Sequence, residues 1–251
     1  MGKFSGYVIC SDVDFTLCMG TDICDENIKA IEYFQQNGGL FTLCTGRNLD
    51  YINRNFSDKF RCNTYVITLN GTSIVDTGDG SVVWDRQLDA DVCKRIIDCV
   101  HEYKDSVIRV TLCTQDRLEN YEGGDIYSSN KVVTVSYTPQ QLKKIRNALE
   151  SINDGSFSLN QSWDTGLEAI PADSGKGTCI RELKKLLGSS VHTVIAVGDN
   201  ENDLTMLEAA DVSYAVEDAI ERARQLADRI TRKCMEGSIA AIVEDIEKGE
   251  I

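Results

Sequence analysis

Histidine is scarce in this chain of 251 residues: there are two, His101 and His192. That leaves little for a histidine-built zinc site, and no CxxC pair supplies one from sulfur. No run of about 18 apolar residues occurs, which argues against a membrane-spanning helix. The opening MGKFSGYVICSDVDF has no long apolar stretch and does not read as a signal peptide. Basic residues are also short, 26 Lys+Arg against 40 Asp+Glu, for a net charge of -14. Such a surface repels nucleic acid and anionic lipid, so neither is an expected partner. It does not exclude a small anionic substrate, because a cation or a few basic groups reverse the field locally. Internal repeats and low-complexity segments are missing too. Cysteine is plentiful, at 10. Several lie in apolar runs such as YVIC and FTLC, the pattern of small buried thiols in a reduced cytoplasmic protein.

What the sequence does contain is an alternation of apolar strand-like runs with helix-period segments. That predicts an α/β fold, a doubly wound and mainly parallel sheet. Strands are expected at 7–10, 40–45, 65–68, 193–198 and 212–216. Helices are expected at 25–37, with Asp25 as its cap, and at 48–57, 202–210, 217–227 and 236–247. The middle differs. VVWD (82–85), a helix over 89–103, IRVTLCT (108–114), KVVTVSYT (131–138), a helix over 139–152 and FSLNQSWD (157–164) suggest an inserted α+β domain. Thr138-Pro139 starts its second helix well, a cap followed by proline at the first position. DTGDGS (76–81) and TGLEAIPADSGKG (165–177) mark its edges. The expected division is a core of 1–80 and 170–251 with an insert of 81–169.

Four clusters carry possible chemistry. Asp12 and Asp14 follow the first strand, at the sheet edge where ligands bind in doubly wound folds. If the pleat persists, they face one side, where repulsion calls for a cation or a proton. Thr45, Gly46 and Arg47 follow the second strand at a helix start, which suits an anion. GDNENDLTML (198–207) crowds Asp199, Asn200, Glu201, Asn202 and Asp203 at another strand-to-helix turn, an oxygen-rich set that suits magnesium. Lys176 sits between glycines before a helix, without the spacing of a P-loop.

Together these elements resemble the haloacid dehalogenase superfamily of phosphohydrolases, in particular its Cof-type members with an α/β cap inserted after the third core strand. The matching residues are D-x-D-x-T-L at 12–17, TGR at 45–47, NG at 70–71, Lys176 and GDxxND at 198–203. The resemblance implies a phosphatase acting on a small phosphorylated metabolite such as a sugar phosphate, as a monomer or weak homo-oligomer. It implies that Asp12 attacks phosphorus and that Asp14 is the acid and base. Thr45, Gly46, Arg47, Asn70, Lys176 and Asn202 would bind substrate phosphate. Mg2+ would be held by Asp12, the Asp14 carbonyl and Asp199, with Asp203 supporting it.

Phe15 departs from the pattern, which usually has glycine there. Either its φ is negative and nothing is lost, or the turn is strained; its ring could also reach toward the cap. A phosphomutase of the same superfamily and a catalytically weak phosphate-binding regulatory protein are the alternatives. A receiver domain also uses Asp, Thr and Lys but lacks both DxDxT and a cap. Polar cap residues Tyr121, Glu122, Asp125, Tyr127 and Asn130 are candidates for substrate selection, and their acidic lean favours a neutral, hydroxyl-rich leaving group. His101 and His192 are expected to be structural or surface groups.

Overall fold

The computed structural model describes residues 2–251. The chain begins with β1 (Tyr7–Ser11), α1 (Asp25–Gln36), β2 (Leu40–Leu43) and α2 (Leu49–Phe56). Three short strands follow: β3 (Val66–Thr68), β4 (Ser73–Val75) and β5 (Val82–Asp85). The middle runs α3 (Ala90–His101), β6 (Val107–Cys113), β7 (Leu118–Asn120), β8 (Lys131–Ser136), α4 (Pro139–Ile152), β9 (Phe157–Trp163) and β10 (Gly166–Pro171). The chain closes with α5 (Lys176–Leu187), β11 (Thr193–Gly198), α6 (Leu204–Ala209), β12 (Val212–Val216), α7 (Glu221–Leu226), β13 (Arg229–Thr231) and α8 (Ser238–Lys248).

The central sheet has the order β13-β12-β11-β1-β2, with every pair parallel. Its middle strands are nearly unbroken apolar runs, YVICS and TVIAVG, because both faces are covered. From β1 the chain steps to β2 in one direction. From β11 it steps through β12 to β13 in the other. Right-handed crossovers then place α1 on one face and α6 and α7 on the opposite one. The α1 helix packs against α8, and α5 against α6. The reversal of direction at β1 and β11 is a topological switch point, and the loops leaving those two strands face the crevice it creates.

A second sheet, β7-β6-β8-β10-β9, is antiparallel throughout. Its pleat separates two environments. Val110, Leu112, Val132, Leu167 and Ala169 join Ile96, Ile97, Leu142, Ile145 and Leu149 of α3 and α4 in an apolar core of their own. The alternate residues Arg109, Thr111, Cys113, Lys131, Val133 and Glu168 line a cavity. Thr138 caps α4 by accepting a hydrogen bond from the Gln141 amide, with Pro139 opening the helix.

Three expectations change. The edge segment 165–177 contains a full strand, β10, paired with both β8 and β9. Its charged centre, Glu168, masks the strand in the sequence and is buried by pairing with Lys131. VVWD does not join the second sheet; β5 pairs with β4, which pairs with β3, in a small antiparallel sheet. Short turns link these three strands, so they fold back on one another. The Cys44↔Ile67 bridge ties β3 to the end of β2. At α1, Asp25 is the first helical residue and Cys24 occupies the cap position.

Candidate active site

The β1 strand delivers Asp12 to the sheet edge, where its amide donates to the Val197 carbonyl of β11 at 2.9 Å. Lys176 arrives from the other side as the first residue of α5. Its placement depends on a close backbone approach. A Cβ on Gly71 would lie 2.2 Å from the Gly175 carbonyl carbon, and the Gly175 amide donates to the Gly71 carbonyl at 2.8 Å. Only glycine fits at position 71, which gives the NG pair its structural meaning. The Lys176 ammonium then donates to Asp12 Oδ1 at 2.6 Å and to Asp203 Oδ1 at 2.6 Å. The other oxygen of Asp203 accepts the amides of Asp199 and Asn200, each at 3.0 Å. Asp203 thus binds the loop after β11 to the buried lysine. Thr16 donates to Asp199 Oδ1 at 2.8 Å.

Burial and crowding set the protonation of this cluster. Asp12 is pushed up to about 7, chiefly by burial, with Asp203 and Asp14 adding repulsion and Lys176 opposing it. Asp199 is pushed up to about 9 by burial, then by Asp203 and Asp12. Burial pulls the Lys176 ammonium down, but the carboxylates of Asp12 and Asp203 outweigh it and hold the group above its ordinary value.

Asp12, Asp199 and Asp203 each present a carboxylate oxygen, all within 4.8 Å of one another. Oδ2 of Asp12 and Oδ2 of Asp199 accept no hydrogen bond among the described residues. The Asp14 carbonyl accepts none from the backbone either. Hard, buried oxygens with unused lone pairs and mutual repulsion fit a magnesium ion. Both oxygens of Asp203 are committed to the lysine and the amides, which suits it to orienting its neighbours.

The remaining residues singled out from the sequence lie around this cluster. Thr45 is buried and accepts the Arg47 amide at 3.2 Å. Asn70 accepts a hydrogen bond from Asn202 at 3.1 Å. Gly46, Arg47 and Asn202 line the cavity above Asp12. Arg47 is not free to meet an anion: it grips both oxygens of Asp14, at 3.0 and 2.8 Å. Phe15 has a φ of 64°, so the strained alternative holds. The residue is 56% exposed and lines the same cavity.

The cavity holds about 510 Å³ between the central sheet's loops and the second sheet. None of Tyr121, Glu122, Asp125, Tyr127 or Asn130 lines it. Tyr127 bonds Glu119 beneath Arg117, and Asn130 bonds Asp85 and the Arg86 carbonyl. The acidic lean of those loops therefore says nothing about the cavity. The wall is built from strand residues instead, among them Arg109, Lys131, Trp163 and Glu168. Lys131 donates to Glu168 at 2.8 Å and to the Gly46 carbonyl at 2.9 Å, tying the second sheet to the loop that carries Thr45. A lysine and a glutamate inside apolar strands were the available signal. His101 and His192 lie on the surface, away from the cavity.

The chain matches the family model of haloacid dehalogenase-like hydrolases over residues 9–131 and 114–243. It is 24% identical to the 5-amino-6-(5-phospho-D-ribitylamino)uracil phosphatase YcsE of Bacillus subtilis, over 94% of each chain. Its fold is similar to that of a haloacid dehalogenase-like hydrolase from B. subtilis, with a TM-score of 0.81 at 20% identity, covering 94% of this chain and 98% of that one. It is also similar to BT1666 from Bacteroides thetaiotaomicron, described among phosphatases of the same superfamily. There the TM-score is 0.79 at 18% identity, covering 98% and 96%.

Proposed function

The chain belongs to the haloacid dehalogenase-like hydrolases, in their Cof-type branch, and we propose that it is a phosphatase that cleaves a small phosphomonoester, a sugar phosphate or a similar metabolite, through a covalent phosphoryl group on Asp12. The observation that carries this reading is Lys176 bridging Asp12 and Asp203 beside Asp199 at the switch point of the sheet. Asp12 attacks phosphorus, and the bond to the leaving oxygen breaks. Asp14 supplies the proton for that oxygen, then takes one from the water that cleaves the aspartyl phosphate and restores Asp12. Arg47 grips both oxygens of Asp14, so substrate entry draws Arg47 away and frees the Asp14 carboxyl for this role. The freed guanidinium and Thr45 then face the phosphoryl oxygens, together with Lys176. Asn70 and Asn202 brace each other at the same edge.

Mg2+, held by Asp12, Asp199 and the Asp14 carbonyl, would neutralise charge on the phosphoryl group. In this reading the expected division, a catalytic core of 1–80 and 170–251 with a cap of 81–169, shifts at both edges: β5 pairs with β4 and stays with the core, and the last cap strand runs on to Pro171. Ten unpaired cysteines support a reducing, cytoplasmic setting. Phosphate release from a broad panel of phosphomonoesters, with Mg2+ present, tests the proposal. Asp12→Asn is expected to lose at least about 10³-fold in kcat/KM. No release from any substrate, or full activity in Asp12→Asn, would refute it.

A further inference from the structure

Lys131 and Glu168 stand on the antiparallel sheet, yet their contacts end on the loops around Asp12. Lys131 is the partner of the Gly46 carbonyl among the described residues, at 2.9 Å. That carbonyl belongs to the peptide unit whose N–H, on Arg47, donates to Thr45 Oγ1 at 3.2 Å. A trans peptide is rigid, so a charge held at its oxygen also fixes the direction of its N–H. Glycine at 46 would otherwise leave the unit easy to turn. The Thr45 hydroxyl accepts from that N–H, which leaves its own proton for another acceptor.

Glu168 continues the chain on the other side. Its Oε1 accepts from Lys131 at 2.8 Å and its Oε2 from Ser162 at 3.4 Å. The Ser162 hydroxyl accepts from Asn70 at 3.3 Å, and its carbonyl accepts from Asn200 at 3.2 Å. Asn70 in turn accepts from Asn202 at 3.1 Å. The links run unbroken from the loop after β2, through Lys131, Glu168 and Ser162, to the loop after β11. The end of β9 is pinned from behind, because a Cβ on Gly166, the cross-strand partner of Trp163, would lie inside the Trp163 indole. As an ion pair, Lys131 and Glu168 bring no net charge to the site.

We propose that Lys131, backed by Glu168 and Ser162, is a positioning residue for the phosphoryl site: it locks the Gly46–Arg47 peptide so that the Thr45 hydroxyl aims its proton at the phosphoryl group. This rests on the phosphatase reading above. The second sheet then does more than enclose a leaving group. It sets a donor used on the phosphate itself, which every ester feels alike. That donor is in place only while the second sheet is docked, so enclosing the substrate and readying the attack are one event.

Lys131→Met with Glu168→Leu removes both charges at similar volume and tests the idea. The folded variant should lose about tenfold to a hundredfold in kcat/KM, mostly in kcat, and by the same factor for p-nitrophenyl phosphate and for sugar phosphates. In a cycle with Thr45→Ala, the further loss should shrink to about twofold or less once the hydroxyl is gone. If the first variant does not fold, Lys131→Gln with Glu168→Gln replaces it; the amides can still bond between the strands, and glutamine is a bond too short for Gly46. Full kcat/KM in a folded variant, a loss confined to some esters, or losses that add with Thr45→Ala would each overturn the positioning and leave the phosphatase standing. If the unaltered chain turns over no ester, the phosphatase reading falls, and titration with inorganic phosphate and Mg2+ decides instead. Phosphate bound about tenfold or more weakly by the variant upholds the positioning; equal binding, or none by either protein, refutes it.

Discussion

At residue 15 two demands conflict. A φ of 64° suits glycine, and a phenylalanine there costs about 1–2 kcal/mol. Replacing it with glycine removes the strain and sacrifices little burial, since the residue is largely exposed. Phe15→Gly is therefore expected to raise stability by about 1 kcal/mol. Phe15→Ala keeps a Cβ at the same φ and should bring no gain. Urea unfolding midpoints check both, and a destabilised Phe15→Gly would show that the ring supports the fold after all. Residues such as Asp12, Lys176 and Asp199 were legible because chemistry fixes their type and the loop after a strand fixes their place. The sign of φ at Phe15 was not, because the sequence allowed either turn.

Among the elements, β8 and β10 share a buried ion pair. Lys131 and Glu168 are almost fully enclosed, and the lysine also holds the Gly46 carbonyl. Removing one partner leaves an uncompensated buried charge. Lys131→Met is expected to cost about 3–5 kcal/mol, and Lys131→Met with Glu168→Leu to recover most of it. Denaturant melts of the single and double variants measure this; equal losses in both would deny the coupling. The same pair hides β10 in the sequence. An ionised glutamate in the middle of GLEAIP argues against a buried strand until its lysine is known. The strands β4, β7 and β13 have three residues each, too few to show a period. Long apolar runs such as TVIAVG stood out because both of their faces are covered. The cavity wall was hidden for a further reason. Arg109, Thr111 and Cys113 share one side of β6, and nothing local says whether that side meets solvent, helices or a substrate.

At the scale of the molecule, the fold stores repulsion where a cation fits. Asp12 and Asp199 are raised from 3.8 to about 7 and about 9. Across that window the folded chain keeps protons that the unfolded chain has lost. Stability from this source is complete below the unfolded value and falls as pH rises toward the folded ones. A magnesium ion competes with those protons, so its stabilising effect should grow with pH. Thermal melts with and without Mg2+ at about pH 5.5 and about pH 8.5 check the sign. A shift in Tm that is equal at both would show that the ion binds elsewhere.

Gly166 carries a consequence for how such a protein could change its diet. It lies behind the Trp163 indole, out of reach of anything in the cavity, and a single methyl there has no room. Any larger residue would have to lift the indole into the cavity or swing it aside. Tolerance for different molecules could therefore be altered from a position that never touches one of them, while Asp12 and its lysine stay as they are.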